Sequence, residues 1–288
     1  IFSELGFEYA GPIDGHNLPL LCEVLAEARD IRKPVVVHVV TRKGKGLKEA
    51  EDDPASWHGV SPAVSGVVAP EGLRLSFTDA FGQAVLAAAH KDANVVAVCA
   101  AMAKGTGLSA FQHDFPDRFF DVGIAEEHAV TFAAGMASKG AKPVVAIYST
   151  FMQRAVDQVH HDVAVRGLPV VFAMDRSGAV PDDGETHQGI YDIQVFKAVP
   201  GLAILSPASR SEMLMALDWA LSSGGPVMIR YPKDNCAPDR PWRNSPWVIG
   251  QGVLAMQTPG ARVLVAAAGP LSESALLAAQ LLEASGVH

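Results

Sequence analysis

The stretch "DVGIAEEHAVTFAAGMASKGAKPVVAIYS" (121–149) decides the fold. Its first part carries small and apolar residues at helical spacing from about Ala125 onward. Its last seven residues form a mostly apolar run with three β-branched residues, which is typical of a strand buried on both faces. A helix followed by such a strand predicts an α/β fold in which helices cover a parallel sheet.

The same alternation recurs along most of the chain. Further apolar runs are "PVVVHVV" (34–40), "NVVAVCA" (94–100), "LPVVFAMD" (168–175), "LAILSP" (202–207), "PVMIRY" (226–231) and "RVLVAAAG" (262–269). Segments with helical spacing occur at 18–30, 79–91, 210–223 and 272–285. We therefore predict parallel sheets flanked by helices in a multi-domain α/β architecture.

Two turn-rich breaks divide the chain, one near 48–74 and the other near 235–250. They predict three pieces. The first, 1–65, is the end of one α/β domain with its linker. The second, 74–236, is a complete α/β domain, and the third, 249–288, is the start of another.

Composition excludes several classes of protein. The 288 residues are 49% hydrophobic and carry a net charge of −8, which argues against a nucleic-acid or anionic-membrane surface. Three widely spaced cysteines outside any C-x-x-C pattern predict reduced thiols in a cytosolic-type compartment. No apolar run has the length of a membrane span.

Polar side chains follow several predicted strands. Basic groups, aromatics and a histidine come after 34–40, 143–149, 168–174 and 226–229. Ligands of parallel α/β sheets bind at the carboxyl ends of the strands, so this edge suits an anionic organic substrate. The alternative is the ordinary polarity of loops that meet water.

Glu126 and Glu127 stand at the predicted start of the helix in the opening stretch. Helical periodicity puts Glu126 on the stripe of Val130 and Ala133, toward the core, and Glu127 on a wetter face. A helix N-terminus favours a carboxylate, whereas burial disfavours its charge. Glu126 is therefore either a proton-sharing ligand group or a carboxylate that caps its helix.

Longer motifs carry a specific resemblance. They are "DVGIAEEHAVTFAAGMAS" (121–138), "PVVAIYSTFMQRAVDQVHHDVA" (143–164), "AMDRSG" (173–178), "DDGETHQGIYD" (182–192), "GFEYAGPIDGHNLPLL" (6–21), "TRKGKGL" (41–47) and "DPASWHG" (53–59). In this order they resemble the 1-deoxy-D-xylulose-5-phosphate synthase family, which uses thiamine diphosphate and is related to transketolase. The resemblance extends over essentially the whole chain.

This resemblance implies an activity. Members condense pyruvate with D-glyceraldehyde 3-phosphate, release CO₂ and form 1-deoxy-D-xylulose 5-phosphate for isoprenoid and thiamine biosynthesis. It also implies a homodimeric transferase with no nucleic-acid or membrane partner, in the cytoplasm, with a plastid location left open. Two alternatives remain: another thiamine-dependent transketolase or 2-oxoacid decarboxylating enzyme, or a non-catalytic interaction module.

The resemblance also implies residue roles. Glu126 matches the glutamate that bonds N1′ of the cofactor's aminopyrimidine and so promotes proton removal from thiazolium C2. Catalytic roles are implied for Glu126, His58 and His187. Cofactor contacts are implied for Glu126, Phe151, Leu47 and Lys43. Substrate contacts are implied for Tyr148, Arg176, Asp183, Arg154 and Lys233. A helix salt bridge is an equal alternative for Arg154.

Some positions depart from the family pattern. Leu47 stands where the family usually has an aromatic residue, Lys233-Asp234 replaces Arg-Gly, and Pro181-Asp182 replaces a glycine-rich stretch. The Gly-Asp-Gly…Asn motif that binds Mg²⁺ and the cofactor's diphosphate is missing from 1–288. We therefore expect the Mg²⁺ ligands in a part of the protein before Ile1, and we expect this chain alone to be inactive.

Overall fold

Two units make up the computed structural model, one within residues 1–69 and the other within residues 70–288. The structure describes residues 1–54, 57–58, 75–181, 183–248 and 250–287. The predicted boundaries at 65, 74 and 249 lie outside these ranges, as does Asp182 of the predicted substrate loop. The division of the chain into three pieces stays a prediction.

The first unit is built on a parallel β-α-β motif. It comprises strand β1 (Glu8–Asp14), helix α1 (Leu18–Asp30), strand β2 (Val35–Val40) and the short helix α2 (Lys48–Asp52). Asn17 begins α1 by accepting a hydrogen bond from the amide of Leu20. The apolar-run criterion missed β1, because its Gly-Pro pair interrupts the pattern and the register shifts between Ala10 and Ile13.

The second unit alternates helices and strands. In chain order it contains α3 (Phe77–Lys91), β3 (Val95–Cys99), α4 (Ser109–Asp114), β4 (Phe119–Asp121), α5 (Glu126–Ala137), β5 (Lys142–Tyr148), α6 (Ser149–Met152), α7 (Val156–Gln158), β6 (Val171–Asp175), α8 (Asp192–Phe196), β7 (Ala203–Leu205), α9 (Arg210–Ser222), β8 (Val227–Arg230) and α10 (Leu271–Ala284). A π-helical turn, Val159–Ala164, continues α7.

The sheet of this unit has the strand order β4-β3-β5-β6-β8-β7, and every described pair is parallel. Successive residues of each strand point to opposite faces. Val144 and Ala146 of β5 pack in the cluster that contains α3 and α9, whereas Val145 and Ile147 pack in the cluster that contains α5. Helices therefore cover both faces, as the continuous apolar runs predicted.

Serine caps fix the starts of two predicted helices. Ser76 accepts a hydrogen bond from the amide of Asp79 at the start of α3, and Ser209 accepts one from the amide of Glu212 at the start of α9. Such caps satisfy amides that have no partner within the helix. The helices begin within two residues of the positions that periodicity predicts.

The expected strand at 262–269 is wrong. In the described chain this run pairs with no strand, and Val263, Leu264 and Val265 are exposed. An apolar run becomes a strand only when a neighbouring backbone completes its hydrogen bonds, and no described segment does so here. Separately, none of the described helices is both long and apolar enough to cross a membrane.

Candidate active site

The carboxyl ends of β5 and β6 meet at one edge of the sheet. Tyr148 and Asp175, the last residues of these strands, lie side by side in register. The chain turns out of β6 through Arg176, whose φ of 60° is a left-handed conformation that side chains rarely adopt. The strand ends thus place a phenol, a carboxyl and a guanidinium next to one another.

An aromatic cluster lies beside this edge. Helix α6 starts directly after Tyr148, so Phe151 returns to the same side one turn later. The two rings stack with centroids 5.8 Å apart, and the ring of His187 meets Phe151 edge-on at 5.2 Å. The guanidinium of Arg154 lies 5.1 Å from the Phe151 centroid. The structure therefore brings together four of the predicted site residues.

Glu126 adds a buried carboxylate to this group. It is the first residue of α5 and only 2% exposed, while Glu127 is exposed, so the predicted facing of both side chains is confirmed. Arg154 donates from Nη1 to Oε1 of Glu126 at 2.6 Å. Arg154 thus forms a salt bridge, but with a carboxylate 28 residues away on another element rather than along its own helix, and its substrate role stays a prediction.

A second charged cluster lies at the ends of β6 and β8. Asp183 bridges two cations: it accepts a short hydrogen bond from Arg176, and Lys233 donates from Nζ at 2.9 Å. Although burial opposes it, the hydrogen bond from Lys233 and the charge of Arg176 hold the pKa of Asp183 below its usual value. The guanidinium of Arg176 also lies 4.0 Å from the Tyr148 ring centroid.

Asp175 is the most deeply buried acid at this edge. It is fully buried, and Thr78 of α3 donates to its Oδ2 at 2.8 Å. Burial raises the pKa of Asp175 to about 6, and burial likewise raises the pKa of Tyr148. The sequence indicated no role for Asp175 and gave no signal for Thr78, which lies 97 residues away in the chain.

Two glycines permit this packing. A Cβ on Gly105 would lie 2.0 Å from the Tyr148 hydroxyl, and one on Gly189 would lie 2.3 Å from the carbonyl oxygen of Arg176. Gly189 also exchanges two backbone hydrogen bonds with Gly178, at 2.8 and 2.9 Å. The "THQG" motif therefore closes the substrate loop against the turn after β6.

The other three predicted site residues lie in the first unit. There Lys43 Nζ is 3.0 Å from His58 Nδ1, and Leu47 is exposed just before α2. A Lys-His pair of this kind suits an anionic ligand. The expectation that these residues join the same active site as Glu126 stays a prediction.

Comparison with known proteins identifies the family. The family described as "Transketolase, pyrimidine binding domain" matches residues 74–238, and the family described as "1-deoxy-D-xylulose-5-phosphate synthase" matches residues 1–41. The chain therefore belongs to the transketolase-like proteins with a pyrimidine-binding domain.

Within that class the chain is similar to 1-deoxy-D-xylulose-5-phosphate synthases. It is 50% identical over 289 residues to the enzyme of that name from Treponema pallidum, and 46% identical over 292 residues to that from Natranaerobius thermophilus. Each match covers 100% of this chain and 46% of the relative. The chain thus spans about half the length of these curated relatives.

Solved structures confirm the predicted fold class. The structure described as "Split gene transketolase, inactive beta4 tetramer" is 27% identical, with a TM-score of 0.66 over 74% of this chain and 69% of that chain. Transketolase from Campylobacter jejuni also reaches a TM-score of 0.66, over 99% of this chain and 56% of its own, at 17% identity. At that identity the likeness supports the fold alone.

The side chains of Glu126 and Phe151 fit the aminopyrimidine ring of thiamine diphosphate. A buried carboxylate at Glu126 can bond a ring nitrogen, and the half-buried ring of Phe151 offers an aromatic face for stacking. Among the described residues, no three His, Cys, Asp or Glu side chains are grouped to hold a metal ion.

Proposed function

We propose that this protein catalyses the thiamine diphosphate-dependent condensation of pyruvate with D-glyceraldehyde 3-phosphate, with loss of CO₂, to give 1-deoxy-D-xylulose 5-phosphate. The observation that carries the proposal is Glu126, a 2% exposed carboxylate at the start of α5, beside Arg154 and Phe151. The 50% identity to an enzyme of this name supports the choice of substrates.

The donor half of the reaction falls to Glu126 and its neighbours. When bound, the cofactor supplies the carbon nucleophile for the keto group of pyruvate and takes up the electrons released with CO₂. Glu126 would hold and move a proton at N1′ of the aminopyrimidine, which requires a carboxyl group kept away from water. Phe151 would fix the plane of that ring by stacking, and Arg154 would hold the Glu126 carboxylate in place.

The acceptor half falls to the residues around Asp183. The planar fork of Arg176 can pair with two phosphate oxygens, and Lys233 adds a point charge. Tyr148 would line the path between the phosphate site and Phe151. His187, which contacts Phe151, would deliver a proton to the oxygen of the former aldehyde as the new C–C bond forms.

Three residues of the first unit have roles that follow from the family resemblance alone. We propose that Lys43 lies near the cofactor's diphosphate, that His58 lies near the reacting carbons, and that Leu47 packs against the cofactor. Mg²⁺ would join the diphosphate, and among the described residues no group of three His, Cys, Asp or Glu side chains would hold it.

We also propose a homodimer. Three large apolar side chains in the segments next to Glu126 and His187 are more than half exposed, and pairing with a second copy would bury them: Ile124, Ile190 and Tyr191.

A second candidate is another thiamine-dependent transferase, such as a transketolase. The 27% identity to the split-gene transketolase and Lys233 in place of arginine favour keeping it. Product analysis separates the two: pyruvate with glyceraldehyde 3-phosphate should give CO₂ and a deoxypentulose phosphate, whereas sugar-phosphate donors should give nothing.

The proposal is tested by Glu126→Gln in protein expressed from the complete coding sequence. Exchange of the cofactor's C2 proton, followed by NMR, should fall by at least about 100-fold while the circular dichroism spectrum stays unchanged. Glu127→Gln is the matched control, because it makes the same change at the next residue, whose carboxylate is exposed to solvent. Wild-type exchange in Glu126→Gln would refute the assignment. Failure of the wild-type protein to bind thiamine diphosphate with Mg²⁺ would favour a non-catalytic module.

A further inference from the structure

Asp175 is a buried acid that the proposed reaction does not use. Its side chain is fully buried, one carboxyl oxygen accepts from Thr78, and the other, Oδ1, has no hydrogen-bond partner in the described structure. A carboxylate in this state is unfavourable, because burial removes its hydration and a single side-chain hydrogen bond only partly replaces it. The cost requires an explanation.

Charged and titratable groups from several neighbouring elements surround Asp175. Arg176 follows it in the chain, and Lys233 approaches from beyond β8; both favour its ionised form. Tyr148 lies beside it on β5, and the hydroxyl of fully buried Tyr231 has no described partner either. Asp183, the remaining acid, holds Arg176 and Lys233 from the other side. Asp175 is paired in register with Tyr148, and the Arg176 guanidinium lies 4.0 Å from the centroid of the Tyr148 ring, so Asp175 is close to the cations assigned to the acceptor's phosphate.

Two opposite roles for Asp175 can be compared. It could hold Arg176 in place, or its negative charge could repel a phosphate bound to Arg176. The ion pair with Asp183 and the contact with the Tyr148 ring already fix Arg176, so removing the Asp175 charge would not release it. Repulsion acts through a low-dielectric region and is weakly screened, so it outweighs the positional role.

We propose that Asp175 is an electrostatic counterweight to Arg176 and Lys233: its negative charge weakens phosphate binding, and a phosphorylated acceptor therefore binds with proton uptake at Asp175. The inference rests on the proposed phosphate role of Arg176. Linkage makes the effect reciprocal, since the factor by which the bound phosphate favours protonation equals the factor by which protonation favours the phosphate. Burial, which already raises the pKa of Asp175 to about 6, brings this exchange close to neutral pH.

The test uses glycerol 3-phosphate, a non-reacting analogue of the acceptor, and isothermal calorimetry on protein from the complete coding sequence. Asp175→Asn removes the charge and keeps the shape. Near pH 8 it should bind the probe about 3- to 10-fold more tightly than wild type, and the difference should vanish near pH 5, where Asp175 is neutral. Asp92→Asn is the matched control: it removes the same charge before β3, at the opposite edge of the sheet, and should leave affinity unchanged.

Proton uptake gives a second, independent measurement. Titrations near pH 7 in two buffers of different ionisation enthalpy should show more uptake for wild type than for Asp175→Asn, and the phosphate's own titration cancels in this comparison. If Asp175→Asn does not fold, Thr78→Val serves instead. It removes the side-chain hydrogen bond to the carboxylate, keeps the acid neutral to higher pH, and should tighten binding near pH 7.

The outcomes separate this inference from the proposed reaction. If the protein forms the deoxypentulose phosphate but affinity and proton uptake are the same in all variants, the counterweight is wrong and the reaction stands. If the probe binds as expected but pyruvate is not consumed, the counterweight stands and the reaction is wrong. Weaker binding by Asp175→Asn, or no binding of the probe by the wild type, would overturn the inference.

Discussion

Arg154 reaches across from Nη1 to Oε1 of Glu126 over 2.6 Å, and the carboxylate that it meets is almost completely buried. The two residues are 28 positions apart and belong to different elements. Because Arg154 bonds Oε1 of Glu126, we propose that Oε2 meets the ring nitrogen of the cofactor. The ion pair thus orients the group on which the proposed proton transfer depends.

Arg154→Met is expected to slow exchange of the cofactor's C2 proton about 10- to 100-fold, because Glu126 loses the group that orients it. The methionine keeps much of the packing over Phe151 but carries no charge. Arg154→Lys, measured by the same NMR exchange assay, should recover part of the rate. If the C2 proton exchanges equally fast in Arg154→Met and Arg154→Lys, the proposal that the charge of Arg154 orients Glu126 is wrong.

Arg176→Ala is expected to raise the KM for glyceraldehyde 3-phosphate about 10- to 100-fold while the KM for pyruvate changes little, since charge-assisted hydrogen bonds to the phosphate are lost. Steady-state kinetics with each substrate varied in turn measures this difference. Equal changes in both KM values would contradict a phosphate role.

Arg176→Gly is the matched variant, because glycine adopts the φ of 60° without strain. It should have the same KM values as Arg176→Ala but be more stable by about 1 kcal/mol in a urea titration.

The sequence predicted α5, its start and the burial of Glu126, because periodicity and apolar content are local properties. It did not predict the ion pair between Glu126 and Arg154 or the bond between Thr78 and Asp175, which form only when distant elements pack. The run 262–269 shows the same limit. Its composition is that of a strand, yet strand formation depends on a neighbouring backbone, and that information is not local.

Asp175→Asn is expected to change stability with pH in a defined direction. The folded state raises the pKa of Asp175 from 3.8 to about 6, so the folded protein binds the proton more tightly than the unfolded chain. Ionised Asp175 therefore destabilises the folded protein. This cost is absent below about pH 3.8, grows as the pH rises towards 6, and reaches about 3 kcal/mol above that pH.

In urea unfolding, the free energy of unfolding of Asp175→Asn should therefore rise relative to that of the wild type between about pH 4 and pH 7. Asp92→Asn removes a carboxylate whose pKa is lowered, first by a backbone hydrogen bond from Asn94, and should not show this improvement. A pH-independent difference for Asp175→Asn would mean that the carboxyl is not titrating in the folded state.

Gly105→Ala is expected to disturb the acceptor site without a change at any charged residue. A Cβ there would lie 2.0 Å from the Tyr148 hydroxyl, so the phenol must move, and with it the ring that contacts both Phe151 and the Arg176 guanidinium. We expect a stability loss of about 1–3 kcal/mol from overpacking, and a KM for glyceraldehyde 3-phosphate raised by about 10-fold. Gly135→Ala in α5 is the control, since its Cβ would meet nothing within 4 Å and alanine favours the helix. If both variants behave alike in thermal unfolding and kinetics, close packing of Tyr148 against Gly105 does not position the site.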